Sequence, residues 1–434
     1  MNVVARQVRL AAGLSRNAKL FLLMGAIGGL GGGIFMLLLN LFILSRGNDI
    51  AFLGMLMSLM SLSALLLGLP MGILTDRIGR KQAMLLGSIV ATAASLILVL
   101  SPVNWPLLLA AVGWGAGNAL FMATGPAFMA ENATEEERAT LFSLRQGTGM
   151  LVGFAGSMVG GNLPGLFAAL LGVHPESATA YRATLLVAIG IMTAGLIPLL
   201  MIEERRDPSS ALAARAVPSL GSFALWRSVA PLLVPQLLIG LGAALLIPYL
   251  NVFFKQRFGV SDSLLGTIFA GSQLLMGLAT LVAPMLAERW GKIRTVVLTE
   301  LASLPFLMAL GFAPVLPVAI GAFWIRAMLM NMGGPLYIAF AMEQTPEERR
   351  GTVGAMMGLV WSIGQGIGPG ISGLVQRSYG FAPLFLATGS TYLVGALMIQ
   401  TLFGRKEAGR REQEVRGVGC RMQEVGNDGA DADS

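Results

Sequence analysis

Three features of the sequence predict an all-α integral membrane protein, with twelve transmembrane helices arranged as two pseudo-symmetric six-helix bundles. First, 55% of the 434 residues are apolar and only 12% are charged. Soluble domains carry roughly twice that charged fraction. Second, long apolar runs alternate with short polar stretches along almost the whole chain. Third, the two halves match at a fixed offset of 212 residues. A water-soluble enzyme and whole-chain disorder both conflict with this composition.

The apolar runs place helices at 18–44, 50–73, 82–100, 105–130, 140–163 and 181–202, then at 229–254, 263–287, 295–312, 315–342, 352–375 and 382–403. Most of these runs reach the roughly 20 residues that a helix needs to cross the hydrocarbon layer. No ten-residue alternating segments suggest a β-barrel. The expected organisation is an N-terminal bundle at 1–202, a cytoplasmic linker at 203–228, a C-terminal bundle at 229–403 and a disordered cytoplasmic tail at 404–434.

Charge fixes the orientation. Of 30 Lys and Arg residues, 24 fall on the side of the N-terminus. Arg46, Arg182, Lys255, Arg257 and Arg377 fall on the other side, and Arg326 lies within a span. The positive-inside rule then puts both termini in the cytoplasm, which suits a plasma (inner) membrane protein. It also accounts for the basic balance without nucleic acid.

The repeat is specific. Asp76, Arg77, Gly79 and Arg80 map onto Glu288, Arg289, Gly291 and Lys292. Glu131 and Arg138 map onto Glu343 and Arg350, Gly54 onto Gly266, and Gly156 and Gly161 onto Gly368 and Gly373. Asn40 and Asn251 match at 211. Duplicated six-helix halves are one recurrent plan of secondary transporters.

The stretch Gly72-Ile-Leu-Thr-Asp76-Arg77-Ile-Gly79-Arg80-Lys81, expected between helices 2 and 3, resembles the signature of the major facilitator superfamily. Every specified position of that signature is present. The motif covers few residues, but the layout and repeat extend the resemblance to nearly the whole chain. The resemblance implies a secondary active transporter working by alternating access, with helices 1, 4, 7 and 10 lining a central cavity. It also implies a conformational latch in which Asp76 meets the start of helix 11, near Gly351 and Thr352. Gly72 is expected to let helix 2 approach a neighbour and Gly79 to allow a tight turn. Glu131 with Arg138, and Glu343 with Arg350, are expected to clamp short loops.

Candidate cavity residues are Asn40, Trp114, Asn118, Gln236, Asn251, Gln273, Arg326, Asn331, Tyr337, Trp361 and Gln365. An intramembrane charge such as Arg326 is a functional candidate by default, and bonding to helix ends or carbonyls is its structural alternative. Glu300 is the one acid well inside a span and the candidate proton site, with a static bridge to Arg294 or Arg145 as the alternative. Drug/proton antiporters of the superfamily carry Arg-x-x-Gln-Gly in helix 4, where this chain has Trp114-Gly115-Ala116-Gly117-Asn118. Helix 1 holds no acid.

The aromatic and Met-rich helices favour efflux of an amphipathic or drug-like compound. Uptake of a sugar or organic anion is the alternative, and a membrane receptor or intramembrane enzyme a remote one. His174 and Cys420 are single, so no zinc site or disulfide is expected, and no Walker A loop is present. The expected partners are a small-molecule substrate, the lipid bilayer and a coupling proton, in a monomer without cofactors.

Overall fold

A computed structural model describes residues 13–203 and 223–404, and the described residues contain helices and no strands. The tail at 405–434 and most of the expected linker lie outside the described residues.

In chain order the first half comprises α1 (Arg16–Ser45), α2 (Ile50–Ile78), α3 (Arg80–Leu100), α4 (Trp105–Glu131), α5 (Glu135–Leu171) and α6 (Ala178–Ala194, continued by Leu196–Leu200). The second half comprises α7 (Phe223–Leu246, continued through a 3-10 turn by Leu250–Phe258), α8 (Asp262–Trp290), α9 (Lys292–Phe312), α10 (Leu316–Glu343), α11 (Glu347–Tyr379) and α12 (Ala382–Ile399). Eleven of these rods are long and apolar enough to cross a membrane. The remaining long rod is α11, whose 33 residues begin with Glu347, Glu348, Arg349 and Arg350. It is packed between α2 and α7. Large apolar side chains such as Leu66, Leu170, Leu281 and Met285 are exposed. In water they would form costly patches, whereas lipid covers them at no such cost.

The helices extend beyond the expected spans because polar residues at their ends continue the helix. Gly72 to Ile78 form the last turns of α2, and the connection to α3 is Gly79 alone. Gly79 has φ 98° and its repeat mate Gly291 has φ 96°, a region that only glycine enters cheaply. The acidic run before Arg138 is likewise not a loop. Thr134 and Glu137 form a capping box that starts α5 at Glu135 rather than near 140.

Each six-helix half packs mainly within itself, and the halves meet along α2 against α11 and along α5 against α8. These two seams are one contact used twice. A Cβ at Gly54 would stand 2.5 Å from the Pro369 carbonyl oxygen and 3.1 Å from Gly373 Cα. A Cβ at its mate Gly266 would stand 2.4 Å from the Ser157 carbonyl oxygen and 2.8 Å from Gly161 Cα. Ser157 and Pro369, like Gly161 and Gly373, are 212 residues apart. Between the seams the Asn40 amide donates to the Pro248 carbonyl (2.6 Å) and to Asn251 Oδ1 (3.1 Å). The Asn251 amide donates to the Leu37 carbonyl (2.8 Å). The pseudo-two-fold axis therefore runs through this asparagine pair.

Candidate functional site

The hydrogen bonds and ion pairs joining the halves cluster on one face, opposite the basic face where α1 begins. The Gly370 N–H donates to Ser58 Oγ at 2.8 Å, and Ser263 Oγ donates to Asn162 Oδ1 at 2.8 Å. Arg377 pairs with Asp49 at 3.2 Å. The densest group is Lys255, whose Nζ lies 2.5 Å from Glu176 and 2.7 Å from Asp262. Tyr181 donates its hydroxyl to the same Asp262 oxygen at 3.1 Å. Asp262 is buried, and Oδ2 has no hydrogen-bond partner. This face is closed.

A cavity of about 490 Å³ lies in the half of the molecule nearer the basic face. It is enclosed by α1, α3, α4, α5 and α6, and each of these helices contributes glycine: Gly25, Gly28 and Gly29, Gly87, Gly117, Gly149, and Gly195 between the two segments of α6. A Cβ at Gly25, Gly28 or Gly149 would meet nothing within 4 Å, so their missing side chains are part of the volume. Phe21, Trp114 and Phe121 supply aromatic wall, and Asn118, Gln146 and Arg145 supply polar points. The volume falls within the usual range for small-molecule sites.

The expected cavity residues fare differently. The cavity lies within the first bundle, so α1 and α4 line it as expected but no residue of α7 or α10 does; of the candidates, Trp114 and Asn118 line it. Asn40 and Asn251 instead brace the halves to one another, as described above. Gln273 lies against α5, where a Cβ at Gly153 would be 2.7 Å from its amide nitrogen. Asn331 donates to the Met276 carbonyl (3.1 Å) and Tyr337 to the Leu232 carbonyl (2.8 Å), so both are spent on contacts between helices. Gln365 reaches the Gly240 carbonyl at 3.5 Å, and Trp361 covers Gly240. Gln236 is half-buried on α7.

Arg326 is 3% exposed. Its Nη2 donates to the Tyr392 hydroxyl at 3.0 Å, and its guanidinium lies over that ring, 5.7 Å from the centroid. It is held inside the second bundle by a side-chain hydroxyl and ring, not by the helix ends or carbonyls raised as its structural alternative. Glu300 is also buried there, with Oε2 unpartnered, and no cation is paired with it among the described residues. The static bridge to Arg145 or Arg294 is not formed.

The expected latch takes another form in this conformation. Asp76 accepts from Arg80 at 3.0 Å, and Arg80 Nε reaches Glu131 at 3.3 Å. The repeat mates Lys292 and Glu343 form the same pair. Glu131 and Glu343 thus bond across to the start of α3 and α9, not to Arg138 and Arg350. Those arginines donate to carbonyls of the preceding helix end, Arg138 to Ala130 and Arg350 to Met342. Gly351 and Gly72 face open space, so neither the Asp76–α11 meeting nor close packing at Gly72 is formed. Lys81 donates to the Leu200 and Ile202 carbonyls, tying α3 to the end of α6. Arg77, Glu288 and Arg289 sit in the last turns of α2 and α8.

Arg145 is the residue that the sequence did not assign to the cavity. A helix start at 140 puts it at the membrane surface. The observed start at Glu135 puts it ten residues into α5, about 15 Å along the helix axis, and five residues into the apolar stretch that begins at Thr140. Among the described residues no group of three or more His, Cys, Asp or Glu could hold a metal ion.

Two duplicated six-helix bundles, joined on one face and with a cavity in the first bundle toward the other, define a small-molecule transporter of the membrane rather than an enzyme. The sequence model of the Major Facilitator Superfamily matches residues 21–234 and 232–419, and the chain belongs to that superfamily. It is 24% identical over 349 residues to the uncharacterized MFS-type transporter YhjO of Bacillus subtilis (strain 168), covering 80% of this chain and 82% of that one. It is 26% identical over 360 residues to the tetracycline resistance protein, class C, of Escherichia coli, covering 80% and 84%. Among solved structures, the nucleoside transporter NupG superposes with a TM-score of 0.72 at 14% identity, covering 90% of this chain and 99% of that one.

Proposed function

We propose that the protein exports a small amphipathic compound from the cytoplasm, with both termini cytoplasmic, by rocking its two bundles (residues about 1–202 and 229–403) about the asparagine pair. The observation that carries this reading is the cavity. Its wall is mostly apolar and aromatic, and it lies toward the basic face while the other face is closed. The positive-inside rule makes the basic face cytoplasmic, so the site takes its ligand from inside the cell. The likeness to a tetracycline resistance protein supports the same direction. The Asp76–Arg80–Glu131 group would re-pair toward α11 when the basic face closes. Glu300, buried with a free carboxylate oxygen, is the residue for a coupling proton. The cavity and both seams are built within one chain, which supports a monomeric transporter.

A proteoliposome uptake screen with and without an imposed pH gradient tests this. Amphipathic compounds should accumulate in vesicles whose basic face is outward, and Glu300→Gln should remove the effect of the gradient. Accumulation of sugars without amphiphiles would overturn the export reading.

A further inference from the structure

Resting on the reading that this cavity holds the substrate, we propose that the transported compound is an organic anion: one carboxylate, sulfonate or phosphate on an aromatic or aliphatic body, held by Arg145. Arg145 and no other charged residue lines the cavity, and the remaining polar liners are neutral. Among the described residues no carboxylate lies within ion-pairing distance of its guanidinium, although other cations near this face, Arg16, Arg80 and Lys292, each have one. Arg326, the cation within a span, is buried in the other bundle, bonds Tyr392 and does not line this cavity. A half-buried guanidinium facing an apolar wall offers charge-assisted, two-pronged hydrogen bonds to an anionic group. The same charge disfavours a cationic compound, and no acid in the lining offsets it. Phe21, Trp114 and Phe121 then take the apolar body, and the glycines of α1 leave room for it.

The probes are 1-naphthoate, 1-naphthamide and 1-naphthyltrimethylammonium, which share one ring system and differ in charge. Binding to the full-length protein in detergent is read as the tryptophan quenching that disappears in Trp114→Phe. Naphthoate should bind most tightly and the ammonium compound least. Arg145→Gln should weaken naphthoate about tenfold or more, the worth of one charge-assisted hydrogen bond, and leave naphthamide within about twofold. Arg145→Lys should restore part of the loss. Retained naphthamide binding shows that the variant is folded. Gly28→Leu places its side chain in open space and should abolish binding of all three probes. If Gly28→Leu removes binding while Arg145→Gln leaves the naphthoate to naphthamide ratio unchanged, the anion assignment is wrong and the cavity stands. If Gly28→Leu and Gly25→Leu both leave binding intact, the cavity itself is not the substrate site.

Discussion

Replacing Gly266 by alanine adds one methyl group at the α5–α8 seam and nothing within either bundle. Its Cβ would stand 2.4 Å from the Ser157 carbonyl oxygen, and ordinary contact begins near 3.4 Å. Relieving this clash requires the two helices to separate by about 1 Å. Overpacking of this size costs roughly 1–3 kcal/mol. Because the clash exists only while this face is closed, the cost falls on one conformation, not on folding. At 1.4 kcal/mol per tenfold, the closed state should lose about 5- to 150-fold in population. Gly54→Ala should do the same at the α2–α11 seam, where the Pro369 oxygen would lie 2.5 Å away. If the halves move as rigid bodies, separation at one seam relieves the other, and the double variant should cost less than the two single costs together. The assay is a pulsed electron paramagnetic resonance distance between spin labels at Asn104→Cys and Val315→Cys. Both positions are exposed on the closed face, and Cys420 is replaced by serine. The short-distance population should shrink in Gly266→Ala. Gly87→Ala is the control, since its Cβ would meet the Gly117 oxygen at 2.8 Å inside one bundle. It should lower the melting temperature without changing the distances. An unchanged distance distribution in Gly266→Ala, or a stability loss matching the control, would refute the two-state argument.

Four further outcomes follow from the same geometry. Tyr181→Phe removes a hydrogen bond to the buried Asp262 carboxylate; bonds to charged groups contribute about 1.5–3 kcal/mol, so the same spin-label pair should report roughly tenfold or greater loss of the closed face. Arg326→Ala leaves the buried Tyr392 hydroxyl without the guanidinium it bonds, and the melting temperature should fall with naphthamide affinity retained. Lost affinity at full stability would return Arg326 to the cavity. Gly79→Ala forces a side chain into φ 98°, ψ 159°, a region open essentially to glycine alone, and should cost about 1–3 kcal/mol, read as a lower melting temperature in detergent, with Gly79→Asn no milder. Asp76→Asn should slow turnover at normal expression, and unchanged turnover would remove Asp76 from the transport cycle.

The sequence carries the architecture well and the site poorly, for one physical reason. A helix that is apolar all round shows its depth in the membrane but not which way each residue faces. Depth alone placed Arg326 within a span and could not show that its guanidinium turns toward Tyr392 on α12. The same limit put Asn40 and Asn251 in a cavity, when each faces the other across the halves. The Gly54/Gly266 and Gly161/Gly373 matches were legible as repeat positions, and the structure adds that each member of one match touches a member of the other. A void made by absent side chains is hidden in a sequence already rich in glycine. The polar letters at helix ends also misled, since Asp76 and the acidic run before Arg138 lie on helical turns.

The doubled seam also speaks to ancestry. The first half alone carries Gly54, Ser157, Gly161, Asn40 and the Leu37 carbonyl, and the second half presents their counterparts to them. Each half therefore holds both sides of the contact, the self-complementarity that defines an isologous two-fold interface. Two copies of a single six-helix unit could close on one another through Gly54 of one and Gly161 of the other. Fusion of the copies into one chain then freed each half to diverge, one toward the glycine-walled hollow and the other toward the buried Arg326–Tyr392 pair.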